Sequence, residues 1–153
     1  MTGMDTIAQT VIRTGHRLLV GWWFVTRPNT HGVKCLMVCA DNKVLLVKQS
    51  YGDGRWCVPG GGVKARESYI DAAKRELAEE TNLQTELRHV GSYQQQIEYK
   101  TDTVEVFTGT FRTIPDVVID NREIVAYEWF PVNQLPANCR PSVRKIVALY
   151  ENQ

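Results

Sequence analysis

The chain has 153 residues, 43% hydrophobic and 23% charged, with a formal net charge of +1. That length and mix support one domain with a real core and exclude a disordered or fibrous chain. Near-neutrality argues against a sequence-independent nucleic-acid coat, which needs a basic surface to displace counterions from many phosphates.

Residues 5–23 carry Ile7, Val11, Ile12, Leu18, Leu19, Trp22 and Trp23 at a rough helical period interrupted by Gly15, which predicts a helix. The longest apolar run, residues 18–25, is far short of the roughly 20 residues that span a bilayer, and no small-residue cleavage site follows it. The chain is therefore expected to be cytoplasmic, with no membrane partner. Residues 1–31 read as an N-terminal helical segment packed on a domain over residues 32–153.

Residues 33–39 and 44–47, around a turn at Asp41-Asn42, predict a hairpin of buried strands. Residues 50–62 are dense in turn formers around Trp56-Cys57-Val58, the mark of a shaped loop or short strand. Residues 67–81 are rich in helix formers and stop at Asn82, which tolerates the left-handed conformation of a helix cap. Strands are expected over 87–97, 103–111 and 124–130, and a closing helix over 142–150 after Pro141. Hairpins with a few helices fit an α+β or layered α/β/α domain.

Cys35, Cys39, Cys57 and Cys139 form no CxxC pair and have no histidine spaced to complete a zinc site, so all four read as reduced thiols. Cys57, beside the glycine loop, reads as a buried small hydrophobe rather than a nucleophile.

In the expected helix, Glu76, Glu79 and Glu80 stand at i, i+3 and i+4 and share one face. Like charges at these spacings destabilise a helix, so local stability does not explain the arrangement, whereas a bound hard cation does. The alternative is a solvated acidic face, with Lys74 and Arg75 as partners and Arg75 reaching Glu79. Gly60-Gly61-Gly62 precedes this face; glycine permits close approach, backbone carbonyls suit hard cations, and such a turn admits a pyrophosphate.

The stretch from Gly61 to Leu83 closely resembles the Nudix box: a glycine six residues before Glu67, then Arg75-Glu76, aliphatic Leu77, and Glu79-Glu80. One position departs, Asn82 standing where the family usually has glycine. Flanking segments WCVPGGG and EIVAYEWFPVNQLP are similar to the family's as well. The resemblance implies an α/β fold, the α/β/α sandwich with a mixed sheet, and metal-dependent hydrolysis of a nucleoside diphosphate linked to another moiety. It implies Mg²⁺ or Mn²⁺ held by Glu76, Glu79 and Glu80 with the carbonyl of Gly61 or its neighbour Gly60. Glu67 and Arg75 map onto supporting positions, expected to tie loop to helix by a salt bridge.

Such chemistry also wants a carboxylate to accept the proton of the attacking water, and Glu123 is the candidate, the alternative being an exposed loop charge paired with Arg122. Tyr93, Gln94, Gln96 and Tyr99 could hold a base by stacking and amide contacts; the alternative is ordinary strand surface. The expected partner is a small-molecule nucleotide or diphosphate, not nucleic acid. Trp22-Trp23-Phe24 is either packed on its own domain or a self-association surface that would make a homodimer. A catalytically silent nucleotide-sensing module of the same fold is the competing reading; loss of one of the three glutamates would favour it, and none is lost.

Overall fold

The computed structural model describes residues 3–26, 29–97, 99–119 and 121–153. In chain order the elements are α1 (Gly3–Thr26), β1 (Asn29–Cys39), β2 (Lys43–Gln49), β3 (Trp56–Cys57), α2 (Tyr69–Thr81), β4 (Arg88–Ile97), β5 (Lys100–Phe111), β6 (Ile124–Pro131) and α3 (Pro141–Glu151). Gly15 does not interrupt α1. β1 starts earlier than the apolar pattern suggests, because Asn29 to Gly32 pair with Thr101 to Val104 although their own sequence is polar.

The six strands form one mixed sheet in the order β3-β2-β1-β5-β4, with β6 added along β2. β1 and β5 run parallel over their full length, while β1–β2, β2–β3, β2–β6 and β4–β5 are antiparallel. Alternation along β1 sends Val33, Cys35 and Met37 to one face, where they pack on Ala72, Ala73 and Leu77 of α2. Leu36 and Val38 go to the other face and pack with Val143, Ile146 and Val147 of α3. The result is an α/β/α layering, in which a strand apolar on both faces, such as β2 with Val44 to Val47 all buried, must sit inside the sheet.

β2 meets β1 only beside their shared turn, at Val38↔Val44 and Cys39↔Lys43. The first half of β1 is flanked instead by the glycine loop, which runs beside it through Val33 N–H to Gly61 O, Cys35 N–H to Pro59 O and Val63 N–H to His31 O. The loop is thus an irregular strand of the sheet, which fixes its backbone.

All four cysteines are buried and free. No helix among the described residues is long and apolar enough to cross a membrane. Trp22 is exposed; the Trp23 and Phe24 side chains of the expected patch lie outside the described residues.

Candidate functional site

Both ends of α2 are fixed locally. The Ser68 hydroxyl accepts the Asp71 N–H at the start, two residues later than the composition suggested, because Ser68 rather than Glu67 is the cap. Asn82 takes the left-handed conformation, φ 56°, and its N–H closes on Ala78 O. With Ala72, Ala73 and Leu77 on the sheet, the remaining side of the helix meets the glycine loop.

Of the three glycines, Gly60 is sterically required and Gly61 leaves room for a carboxylate. Gly60 has φ +133°, and a Cβ there would lie 2.2 Å from Val33 O. A Cβ on Gly61 would lie 2.6 Å from the Glu76 carboxylate, so that carboxylate rests on bare backbone. Gly62 has open space around it.

Glu80 is buried under this loop, and one of its oxygens accepts the Gly60 N–H at 2.7 Å. Burial pushes its carboxyl up to about 7, against the ammonium of Lys34 and the Gly60 N–H, which favour the ionised form. Lys34 donates to Val58 O at 2.9 Å and Gly60 O at 2.8 Å, pinning the loop from the sheet side. The sequence reading passed over Lys34, although a lone charge inside the apolar run 33–39 is the signal that could have found it.

Arg75 is the centre of the exposed half. Its guanidinium reaches Glu67 at 2.7 Å, Glu76 at 2.6 Å, Glu79 at 3.1 Å and the carbonyl of Gly62 at 3.0 Å. Glu67 in turn accepts the Lys64 N–H, so this pair does connect the loop to the helix. Hydrogen bonds from Arg75 and from Lys64 N–H hold the Glu67 carboxyl down at about 2. The Arg75–Glu79 contact is the partner arrangement that the solvated-face reading described, and Glu79 is 56% exposed.

A hard cation suits this donor set by chemistry, since carboxylate oxygens and a backbone carbonyl are its preferred ligands and a buried carboxylate such as Glu80 needs a compensating charge. Among the described residues, however, no three His, Cys, Asp or Glu side chains are drawn into a ready cage. Arg75 spans Glu76 and Glu79, and the Gly61 carbonyl accepts the Val33 N–H while retaining a second lone pair.

Beside the loop opens a cleft of about 2470 Å³. Gly60, Gly61, Gly62, Glu67, Glu123, Gln94 and Gln96 line it, together with Lys34, Tyr51 and residues of α1. Glu76, Glu79 and Glu80 are not in its wall; Glu76 and Glu80 meet it through Gly61 and Gly60. Burial pushes the Tyr51 phenol up, and the carboxylates of Glu80 and Glu123 add to the rise, which places these three groups in one electrostatic neighbourhood.

Of the four expected base-contacting residues, the structure brings Gln94 and Gln96 to the cleft, Gln96 also donating to Thr101 Oγ1 at 2.8 Å. Tyr93 packs on the α3 cluster and is not in the cleft wall, although Gln95, on the same side of β4, is. Tyr99 sits at φ +72° in the β4–β5 turn, exposed and outside the cleft wall. Cys57 is buried against Val47 O and burial pushes its thiol up, which is not the environment of a nucleophile.

Comparison with known proteins agrees with this geometry. The chain is 35% identical over 104 residues to diphosphoinositol polyphosphate phosphohydrolase 3-beta of Bos taurus, covering 64% of this chain and 60% of that protein. It is 30% identical over 104 residues to the oxidized purine nucleoside triphosphate hydrolase of Mus musculus, covering 66% of each. The chain thus spans somewhat under two thirds of the length of these relatives. The fold matches the MutT protein of Methanosarcina mazei Go1 with a TM-score of 0.73 at 22% identity, covering 82% of this chain and 95% of that one. Residues 28–150 match the NUDIX domain, from the first strand through the glycine loop and α2 to α3. The chain belongs to the NUDIX family.

Proposed function

We propose that this chain is a metal-dependent pyrophosphohydrolase that cleaves a nucleoside di- or triphosphate, or another nucleoside diphosphate linked to a second moiety, by attack of water on phosphorus. The observation that carries the reading is the complete carboxylate set on α2, with Glu76 and Glu80 against a loop in which Gly60 is sterically required. The relatives' names point to diphosphoinositol polyphosphates in one case and oxidized purine nucleoside triphosphates in the other, both phosphoric anhydrides.

Glu76, Glu79 and Glu80 would hold Mg²⁺ or Mn²⁺, with the Gly61 carbonyl as a further donor. The ion, when bound, supplies charge neutralisation at the diphosphate and a more acidic water. The chain's own part is positional and protolytic. Lys34 and Arg75 fix the loop from its two sides. Glu67 steadies Arg75, and Glu123 at the cleft wall accepts the proton of the attacking water. Gln94 and Gln96 offer amide groups to the substrate's polar edges, while Tyr93, packed on the α3 cluster, and Tyr99, in the β4–β5 turn, stand outside the cleft wall.

The test is release of phosphate and nucleotide from nucleoside triphosphates, nucleotide sugars and dinucleoside polyphosphates, with Mg²⁺, Mn²⁺ or EDTA. The expected result is metal-dependent turnover that falls by about 10²–10³-fold in Glu79→Gln with the fold intact. If no substrate is hydrolysed while a nucleotide raises the melting temperature, the chain is a nucleotide-binding module instead.

A further inference from the structure

α1 lies outside residues 28–150, yet Thr10, His16, Arg17 and Leu19 line the same cleft as the glycine loop and Glu123. We propose that α1 is a wall of the active-site cleft, and that Gln9 and His16 position the two segments bearing its catalytic and substrate-facing groups. The proposal rests on the hydrolase reading above.

Two contacts carry it. Gln9 is a buried polar side chain, 7% exposed, and its Nε2 donates to the carbonyl of Asn121 at 2.8 Å, across 112 residues of sequence. Asn121 sits in the left-handed region, φ 59°, two residues before Glu123. The carbonyl of Glu123 itself accepts the Ser50 N–H at 2.7 Å, so residues 121–123 are held by α1 on one side and by the end of β2 on the other. Seven residues after Gln9, two helical turns along the same face, the His16 ring packs on Tyr51 with centroids 5.1 Å apart. Tyr51 follows Ser50 directly, so both contacts converge on one junction.

Among the described side chains of α1, Val11, Leu18 and Trp22 are exposed, while the Gln9 hydrogen bond and the His16 ring contact hold the helix to the domain. Gln9 acts on turnover through the Asn121 carbonyl, which sets where the Glu123 carboxylate stands. His16 acts on substrate affinity through the Tyr51 ring at the cleft wall. Part of the substrate's organic moiety then meets a helix that the family domain does not supply.

The experiment uses the full chain with Gln9→Glu, which keeps the shape but removes the donor, Gln9→Ala, His16→Ala and His16→Phe. Steady-state kinetics are run on the substrate found above, and amide hydrogen exchange is read at residues 50–55 and 121–124. Both Gln9 variants are expected to lower kcat about tenfold with KM within about twofold. His16→Ala is expected to raise KM about fivefold with kcat nearly unchanged, and His16→Phe to restore it. Exchange should accelerate about tenfold at both segments in the Gln9 variants and stay constant in α2. Unchanged exchange overturns the proposal, as does a lower melting temperature or faster exchange with unchanged kinetics. If wild type hydrolyses nothing, the hydrolase reading fails, and the exchange measurement alone decides whether α1 holds these segments.

Discussion

α1 and α2 are both amphipathic helices, yet the structure holds them by different means. The shorter, α2, is capped at each end, buries Ala72, Ala73 and Leu77 on the sheet, and is tied to the glycine loop by Arg75 and Glu80. Among the described side chains of the longer, α1, Val11, Leu18 and Trp22 are exposed and Gln9 and His16 contact the domain. Helix length and apolar content do not set how firmly a helix is placed; what matters is whether its apolar face finds a partner.

The largest expected effect separates the two helices directly. Leu77→Ala opens a cavity between α2 and the sheet and should cost about 2–5 kcal/mol in denaturant unfolding. Asn82→Ala keeps the helix but forces alanine into a left-handed cap, at a cost of about 1–2 kcal/mol in the same assay. Leu18→Ala, the same chemical change as at Leu77, should fall within about 0.5 kcal/mol of wild type, because Leu18 is 74% exposed. A Leu18 cost as large as that of Leu77 would mean that α1 is packed as α2 is, and the contrast would collapse.

The smallest effect sharpens the account of the loop. The folded-state value of Glu67 is lowered from 4.5 to about 2 by Arg75, so its contribution is present above pH 4.5 and is lost as pH falls through about 2. Glu67→Gln lacks that contribution. The stability gap between wild type and Glu67→Gln should therefore be widest above pH 4.5 and close toward pH 2, as read from melting temperatures. A gap that does not change with pH would place the role of Glu67 in packing rather than in its charge.

Much of the site was legible because its residues are close in sequence. Gly60 to Glu80 covers the loop, the cap and all three glutamates, and helix periodicity alone puts the carboxylates on one face. The Glu67–Arg75 contact likewise spans a single loop-to-helix junction. Tyr51, Gln9 and His16 were not legible, since each acts on a group far along the chain and none belongs to a local pattern, whereas Lys34 shows only as the lone charge in the apolar run 33–39. Tyr93 stands outside the cleft wall because it packs on the α3 cluster, a tertiary contact that period-two alternation along β4 does not encode.

By itself the sequence determined the elements, the capped acidic helix and the glycine loop before it, because periodicity, cap chemistry and backbone freedom act over a few residues. Tertiary contact alone set that the loop pairs with β1 in place of β2, that Glu80 lies buried beneath it, and that Arg75 reaches back to the Gly62 carbonyl. It also decided that α1 meets the cleft. These are long-range pairings, set by which surfaces bury each other when the sheet closes, and no local pattern in the chain encodes them.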